Sequence, residues 1–205
     1  MSRYTGPRVK IMRALGVDLP GLSPKTSERR PYPPGQHGQR RRKDTEFGRR
    51  LKEKQKIRLN YGLSEAQLRK LFREALRSRG NTGVNLLELL ERRLDNVVFR
   101  AGFARSIPAA RQLINHGHVL VNGRRVDIPS FRTKAGHAIT VSEKQRESQV
   151  VTLGLALADQ RRWETSWLEV DAGQRKAVVT RVPDETSVPF QVDAQLVIEL
   201  YAMSA

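Results

Sequence analysis

The sequence contains no cysteine, which excludes a disulfide framework and any thiolate-ligated zinc or iron–sulfur centre. No stretch approaches the roughly 18 consecutive apolar residues that a membrane-crossing helix needs. The N-terminal MSRYTGPRVK lacks the apolar segment of a secretory signal, so the chain is expected to stay where it is made and to have no membrane partner. Aromatic residues are 6% and hydrophobic residues 38% of 205 positions, enough for one or two small cores but low for one large globule. Acidic residues are outnumbered, with 21 Asp and Glu against 38 Lys and Arg and a formal net charge of +17. A field of that sign attracts polyanions, nucleic acid first and anionic membrane second.

The charge is unevenly spread. Residues 1–60 hold 17 basic against 5 acidic side chains, residues 61–90 hold 5 against 3, residues 91–145 hold 10 against 4, and residues 146–205 hold 6 against 9. Anion binding therefore falls on the first two thirds. The first 43 residues read as a basic arm, because apolar residues are sparse and Gly and Pro recur too often for regular structure; a weak helix is expected at 8–15. RRPYPPGQHGQRRRK, from Arg29 to Lys43, joins two basic clusters through a stiff Pro-rich centre with Gly35 and Gly38. Such a segment can follow an RNA backbone, with Tyr32 and His37 available to stack on bases and arginines on phosphates. A solvated tail or a localisation signal is the alternative, and the interleaved aromatic, Pro and Gly residues favour RNA contact. The candidate contacts of the arm are Arg3, Tyr4, Arg8, Arg13, Arg29, Arg30, Tyr32, Gln36, His37, Arg40, Arg41 and Arg42.

Residues 44–93 read as helical. A first helix from Thr45 to Asn60 carries Arg49, Arg50, Lys52, Lys54 and Lys56, with one glutamate between Arg49 and Lys56, and reads as a basic rod on phosphates rather than a merely solvated face. Gly62 ends it. Ser64 opens a second helix with Leu68, Leu71, Phe72, Ala75 and Leu76 on one apolar face. A third follows the GNTG turn, with Leu86, Leu87, Leu89, Leu90 and Leu94 inside and Glu88, Glu91 and Arg92 outside.

Beyond Arg93, a helix in RLDNVVFRAGFA stops at Gly102, and Ser106 caps another that tolerates Pro108 in its first turn. Ala110, Leu113 and Ile114 form the buried stripe of the latter, leaving Arg111, Gln112 and Asn115 on the other side. Gly117 follows His116 as a left-handed cap. His118 to Val126 then alternates around Asn122-Gly123, the pair best suited to a tight hairpin. Arg93, Arg105, Arg111, Gln112, His116, His118, Asn122, Arg124 and Arg125 are the RNA-contact candidates here, most of them gathered on rigid elements.

RLDNVVFRAGFARSIPAARQLINHGHVLVNGRRVDIPSF closely resembles the small RNA-binding module named after small-subunit ribosomal protein four, a helix-helix-hairpin unit found in several RNA-handling families. The flanks RYTGP, RRPYPPGQHGQ, LKEKQKIRLNYGLSE and VDAQLVIELY look like bacterial-type, or plastid, ribosomal protein four itself, and the resemblance runs over nearly the whole chain. It implies a structural constituent of the small ribosomal subunit that binds the five-prime domain of small-subunit rRNA directly and nucleates assembly of the subunit body. It further implies contact with ribosomal protein five, affecting decoding accuracy, and with other small-subunit proteins, and raises its own messenger RNA as a further target. The implied location is the cytoplasm, or the stroma for a plastid-encoded member.

The resemblance puts Arg111, Gln112, His116 and His118 on the RNA-facing motif of the module, and Arg29 to Arg42 on the arm that enters the RNA. It implies an α+β fold: a basic extended arm at 1–43, a helical domain at 44–93 completed by 184–205, and an inserted RNA-binding module at 94–183, its helices packed on a small antiparallel sheet. Ile139–Val141, Val150–Leu153, Trp167–Val170 and Ala177–Arg181 would supply strands. Many relatives hold zinc in the arm with four cysteines, whereas Val9 and Met12 stand where the first pair is expected, so no cofactor or metal is expected. Ile107-Pro108 replaces basic residues common at that place, removing phosphate contacts but not the fold.

Other chemistries fit poorly. His116 and His118 lack further clustered ligands, no nucleophile-elbow pattern is present, and GQHG lacks the Lys-Ser/Thr of a phosphate loop. Trp163 and Trp167 read as packing residues or a small protein contact. Leu196, Val197, Leu200 and Tyr201 read as a helix closing the first core, with a protein interface as the alternative. An RNA-modifying enzyme built on the same module needs a catalytic domain for which no residues remain, so the chain is not expected to be an enzyme.

Overall fold

The computed structural model describes residues 4–40, 44–160 and 165–203. The chain forms two compact units, one of Met1–Leu87 with Phe190–Ala205 and one of Glu88–Pro189. Among the described residues it folds into eight α-helices and a five-stranded antiparallel sheet, the α+β class expected.

In the first unit, α1 (Arg8–Leu15) ends at Gly16, whose φ of 70° lets its N–H return to the Met12 carbonyl. Met12, Leu19 and Leu22 are buried, with Val9, Ile11, Leu15, Val17, Leu59 and Phe190 packed around them. Val9 and Met12 thus contribute apolar packing where relatives are expected to place thiolates. The arm carries more internal structure than its average apolar content suggests, because the few apolar residues it has fall together between 9 and 22. The Asn60 side chain accepts from the Gly21 N–H at 2.9 Å, which ties the arm to the end of the next helix.

That helix, α2 (Glu46–Asn60), begins at Thr45, whose hydroxyl accepts from the Gly48 N–H. Gly62 follows with a φ of 58°. α3 (Glu65–Arg77) opens with a reciprocal box between Ser64 and Gln67, which satisfies two of the backbone groups a helix start leaves unpaired. Leu68, Leu71, Phe72 and Ala75 are buried as expected, whereas Leu76, at the edge of that face, is 60% exposed. α8 (Ala194–Ala202) buries Val197, Leu200 and Tyr201. Tyr201 stacks on Phe72 at 4.7 Å and donates to Glu65 at 3.0 Å. Burial, together with that carboxylate, pushes the phenol well above its ordinary value. The C-terminal helix therefore closes the core begun by α2 and α3.

The boundary between the units runs through α4 (Thr82–Glu91). In the second unit, α5 (Leu94–Arg100) and α6 (Ile107–Asn115) lead into the sheet of β1 (Val119–Val121), β2 (Arg124–Arg125), β3 (Ala138–Val141), β4 (Leu168–Asp171) and β5 (Lys176–Val179), ordered β2-β1-β3-β5-β4. The registers Val119↔Val141, Val121↔Ile139 and Ile139↔Ala177 bring Val119, Val121, Ile139, Val141 and Ala177 to one buried face, the period-2 pattern of a half-buried sheet. Trp167 is fully buried just before β4, in agreement with a packing role; Trp163 lies outside the described residues. Val150–Leu153 is not a strand but part of α7 (Gln149–Asp159). The β-branched start invites the strand reading, yet the following LGLALAD favours a helix. Gly154 lets α7 come so close that an added Cβ would lie 2.5 Å from the Gly102 carbonyl oxygen.

Candidate nucleic-acid interface

RLDNVVFR builds an internal polar frame rather than a surface. Arg93, expected to face RNA on account of its charge, is 7% exposed, and Asp95 is 1% exposed. The Arg93 guanidinium donates to Asp95 through Nε at 3.1 Å and Nη2 at 2.9 Å, and Arg111 Nε donates to the same carboxylate at 2.7 Å. The Asn96 backbone N–H adds a fourth bond at 3.0 Å. One carboxylate thus serves two guanidiniums, which satisfies it inside and leaves the pair of arginines with a net positive charge. Glu91, expected on the outer face of α4, is fully buried: it takes a bond from the Asn96 amide at 2.9 Å and an ion pair with Arg100 at 3.5 Å. Arg100 also donates to the Ser187 carbonyl. Buried charges are tolerated when paired and hydrogen-bonded in this way.

On this frame stands α6. Ser106 precedes it in extended backbone but makes no side-chain capping hydrogen bond, Ile107 is fully buried, and Pro108 stands in the first turn. Gln112, Asn115 and His116 are exposed, and Arg111 is half-buried through its bond to Asp95. Gly117 takes a φ of 72°, and a Cβ there would meet the Arg125 guanidinium at 1.9–2.1 Å. Glycine is therefore favoured at this position by the left-handed turn, while the Arg125 guanidinium, the end of a flexible exposed side chain, can move aside. Asn122 and Gly123 have φ of 50° and 77°, the two left-handed residues of a tight hairpin. The turn is fastened by Asn122 Oδ1, which accepts from the Ala138 N–H at 2.8 Å. Arg125 lies opposite Leu120 and Arg124 opposite Val121. The rings of His116 and His118 meet edge to face at 6.0 Å. Arg105, Arg124 and Arg125 are exposed, as is Lys134, which sequence reasoning passed over. His137 stacks on Phe131 at 6.0 Å, so it serves packing. The result is a positive surface on a helix end and a hairpin, both held by backbone geometry.

Substituting Gly117 should be costly because of its left-handed backbone. Gly117→Ala is expected to lose about 1–2 kcal/mol from the left-handed backbone, and Gly117→Asn to recover part of it, since asparagine tolerates that conformation. Thermal denaturation of the two variants gives the comparison, and an alanine variant as stable as the parent would contradict it.

In the first unit the candidate residues divide. Arg8 donates to the Leu22 carbonyl at 3.2 Å. Arg13 donates to the Tyr32 carbonyl at 3.0 Å and lies 5.1 Å over the Tyr32 ring, so that ring carries a cation on one face. Tyr4, Arg29, Arg30, Gln36, His37 and Arg40 are exposed. Arg3, Arg41 and Arg42 lie outside the described residues. Along α2 the basic rod is largely bridged by the protein itself: Arg50 to Glu199 at 2.8 Å and Glu46 at 3.4 Å, Lys52 to Asp44 at 2.6 Å, Lys54 to Glu65 at 3.2 Å and Lys56 to Glu53 at 2.6 Å. Lys56 is also buried. Their charge is spent partly on holding the helical unit together, and Arg49 is the exposed cation of that set. Among the described residues no cluster of His, Asp or Glu could hold a metal ion, and no helix is long and apolar enough to cross a membrane.

A helix-helix-hairpin element with cations on its outer side belongs to the class of RNA-binding modules, and comparison with known proteins gives the same class. Residues 92–139 match the S4 domain family, and residues 3–91 match the family described as Ribosomal protein S4/S9 N-terminal domain. The chain is 53% identical over 204 residues to small ribosomal subunit protein uS4 of Methylobacillus flagellatus, covering 98% of both chains. It is 54% identical over 204 residues to small ribosomal subunit protein uS4B of Nitrosomonas europaea, and 51% identical over 202 residues to small ribosomal subunit protein uS4 of Synechococcus elongatus, each again at 98% of both chains. The chain belongs to the uS4 family of small ribosomal subunit proteins. That family is one of structural ribosomal proteins, not of enzymes.

Proposed function

We propose that the chain binds small-subunit rRNA directly, as a structural constituent of the small ribosomal subunit in the cytoplasm, and that it nucleates assembly of the subunit body through the five-prime domain of that RNA. The observation that carries this reading is the cation surface of the second unit. His116 and Gln112 stand at the end of α6, Arg125 lies against Gly117, and Arg111 is held by Asp95. Rigid side chains in fixed positions discriminate among RNA shapes, whereas cations on irregular segments mainly supply charge. In this reading Arg29, Arg30 and Arg40 of the arm provide affinity, and Arg93 and Lys56 act from inside as structural residues. Contact with ribosomal protein five and an influence on decoding accuracy complete the proposal; they rest on the resemblance of the whole chain to this family.

Binding to the cognate rRNA junction and to an unrelated duplex tests it. Arg111→Ala with His116→Ala is expected to weaken the junction about tenfold, the scale of one lost specific contact, and the duplex much less. Arg40→Ala, Arg41→Ala and Arg42→Ala together should weaken both RNAs evenly. Circular dichroism checks that each variant folds. Equal losses on both RNAs for the Arg111/His116 variant would reduce the module to a basic surface and defeat the reading.

A further inference from the structure

We propose that the outer side of α3 is a second RNA-backbone surface, which takes the phosphates of double-helical rRNA without reading sequence. Ala66, Arg69, Lys70, Arg73, Glu74 and Arg77 line a shallow depression of about 560 Å³. At about 100° per residue these positions share one arc of the helix, opposite the buried Leu68, Leu71, Phe72 and Ala75. All four cations are exposed, and Glu74 is the one carboxylate among the lining residues. Arg69, Arg73 and Arg77 repeat every four residues, roughly 6 Å apart along the axis, a spacing of the same order as successive phosphates on one RNA strand. In the same unit Arg50, Lys52, Lys54 and Lys56 of α2 are bridged to carboxylates; on α3 four cations share the lining with one carboxylate, so the hollow keeps a net positive charge.

The chemistry of the hollow selects among partners. Its lining offers guanidinium and ammonium groups on aliphatic stems and a single alanine, with no aromatic or large apolar anchor at its centre. Protein interfaces gain most of their energy from such anchors. A regular line of arginines instead suits a phosphate backbone, to which each can donate two parallel hydrogen bonds. Arg79, exposed just beyond the helix, adds a further cation near its end. The deep, narrow major groove of an RNA double helix keeps base edges out of reach of such a surface, so its contribution is affinity and orientation.

This inference rests on the rRNA-binding reading, and the test separates the two. The full chain carrying Arg69→Gln, Arg73→Gln and Arg77→Gln is titrated with small-subunit rRNA and with an unrelated RNA duplex over a range of salt, beside a variant carrying Arg124→Gln and Arg125→Gln. The α3 variant should bind both RNAs roughly ten- to a hundredfold more weakly at low salt, and its slope of log affinity against log salt should be shallower by about 2–3. An unchanged slope with the hairpin variant still impaired overturns the α3 surface and leaves the rRNA reading intact. Loss of any preference for rRNA in the parent chain would defeat that reading instead. Because the chain has no cysteine, Lys70→Cys can carry a tethered iron chelate at a single site. Cleavage of rRNA near that residue in reconstituted subunits is expected. Absence of cleavage together with an unchanged slope overturns the proposal.

Discussion

Replacing Asp95 with alanine is expected to destabilise the 88–189 unit by about 3–5 kcal/mol, because it removes one partner from a buried charge cluster and leaves two guanidiniums facing each other. The carboxylate is 1% exposed and accepts from Arg93, Arg111 and the Asn96 N–H. Its loss therefore removes a partner from three groups at once, in the place where α5 and α6 are joined. Asp95→Asn keeps the volume and part of the hydrogen bonding but not the charge, and should lie between the parent and the alanine variant. Urea denaturation followed by tryptophan fluorescence reads this out, since Trp167 is fully buried in the same unit. A midpoint shift equivalent to less than about 1 kcal/mol for the alanine variant would mean that the arginines find other partners and that the frame is not held from Asp95. The frame also bears on binding, because Arg111 reaches the surface from this carboxylate.

The second large effect concerns salt. With net charge +17, simple counting would allow many phosphate contacts, but the structure reduces the number. Arg50, Lys52, Lys54, Lys56 and Arg93 are bridged internally, and Arg13 is committed to Tyr32. Exposed cations such as Arg29, Arg30, Arg40, Arg49, Arg124 and Arg125 remain. If about 6–10 phosphates are neutralised, raising salt from about 50 to 200 mM should weaken rRNA binding by about 10³–10⁵-fold, as counterion release requires. Filter binding or fluorescence titration across that range measures the slope. A slope corresponding to only about two phosphates would show that the exposed arginines do not touch the backbone.

Local chemistry made much of the fold readable. Thr45, Ser64 and Gly62 marked helix ends that the structure contains, and Gly117 with Asn122-Gly123 marked the turn into the hairpin, since each demands a backbone conformation few residues accept. The C-terminal helix was legible from Val197, Leu200 and Tyr201 at helical spacing. What local pattern could not show is which partner a charge has. Glu199 lies 149 residues from Arg50, and Glu91 and Asp95 find arginines only when the second unit folds. Charge alone therefore reads Arg93, Lys54 and Lys56 as surface groups although they are bridged inside. The opposite error occurs on α3: residues 61–90 hold 5 basic and 3 acidic side chains, a modest balance that hides the gathering of four cations on one side of the helix. Val150–Leu153 shows a third limit of local pattern, since a short β-branched run is ambiguous until the residues after it are counted.

The central claim is that this chain is a structural part of the small ribosomal subunit through direct binding of its RNA. Sucrose-gradient sedimentation of a lysate from the source organism, with the protein quantified against small-subunit rRNA in each fraction, tests it most directly. The account predicts about one copy per small subunit, retained through a moderate salt wash that strips loosely held proteins. A protein found at the top of the gradient, or present at far less than one copy per subunit, would contradict it.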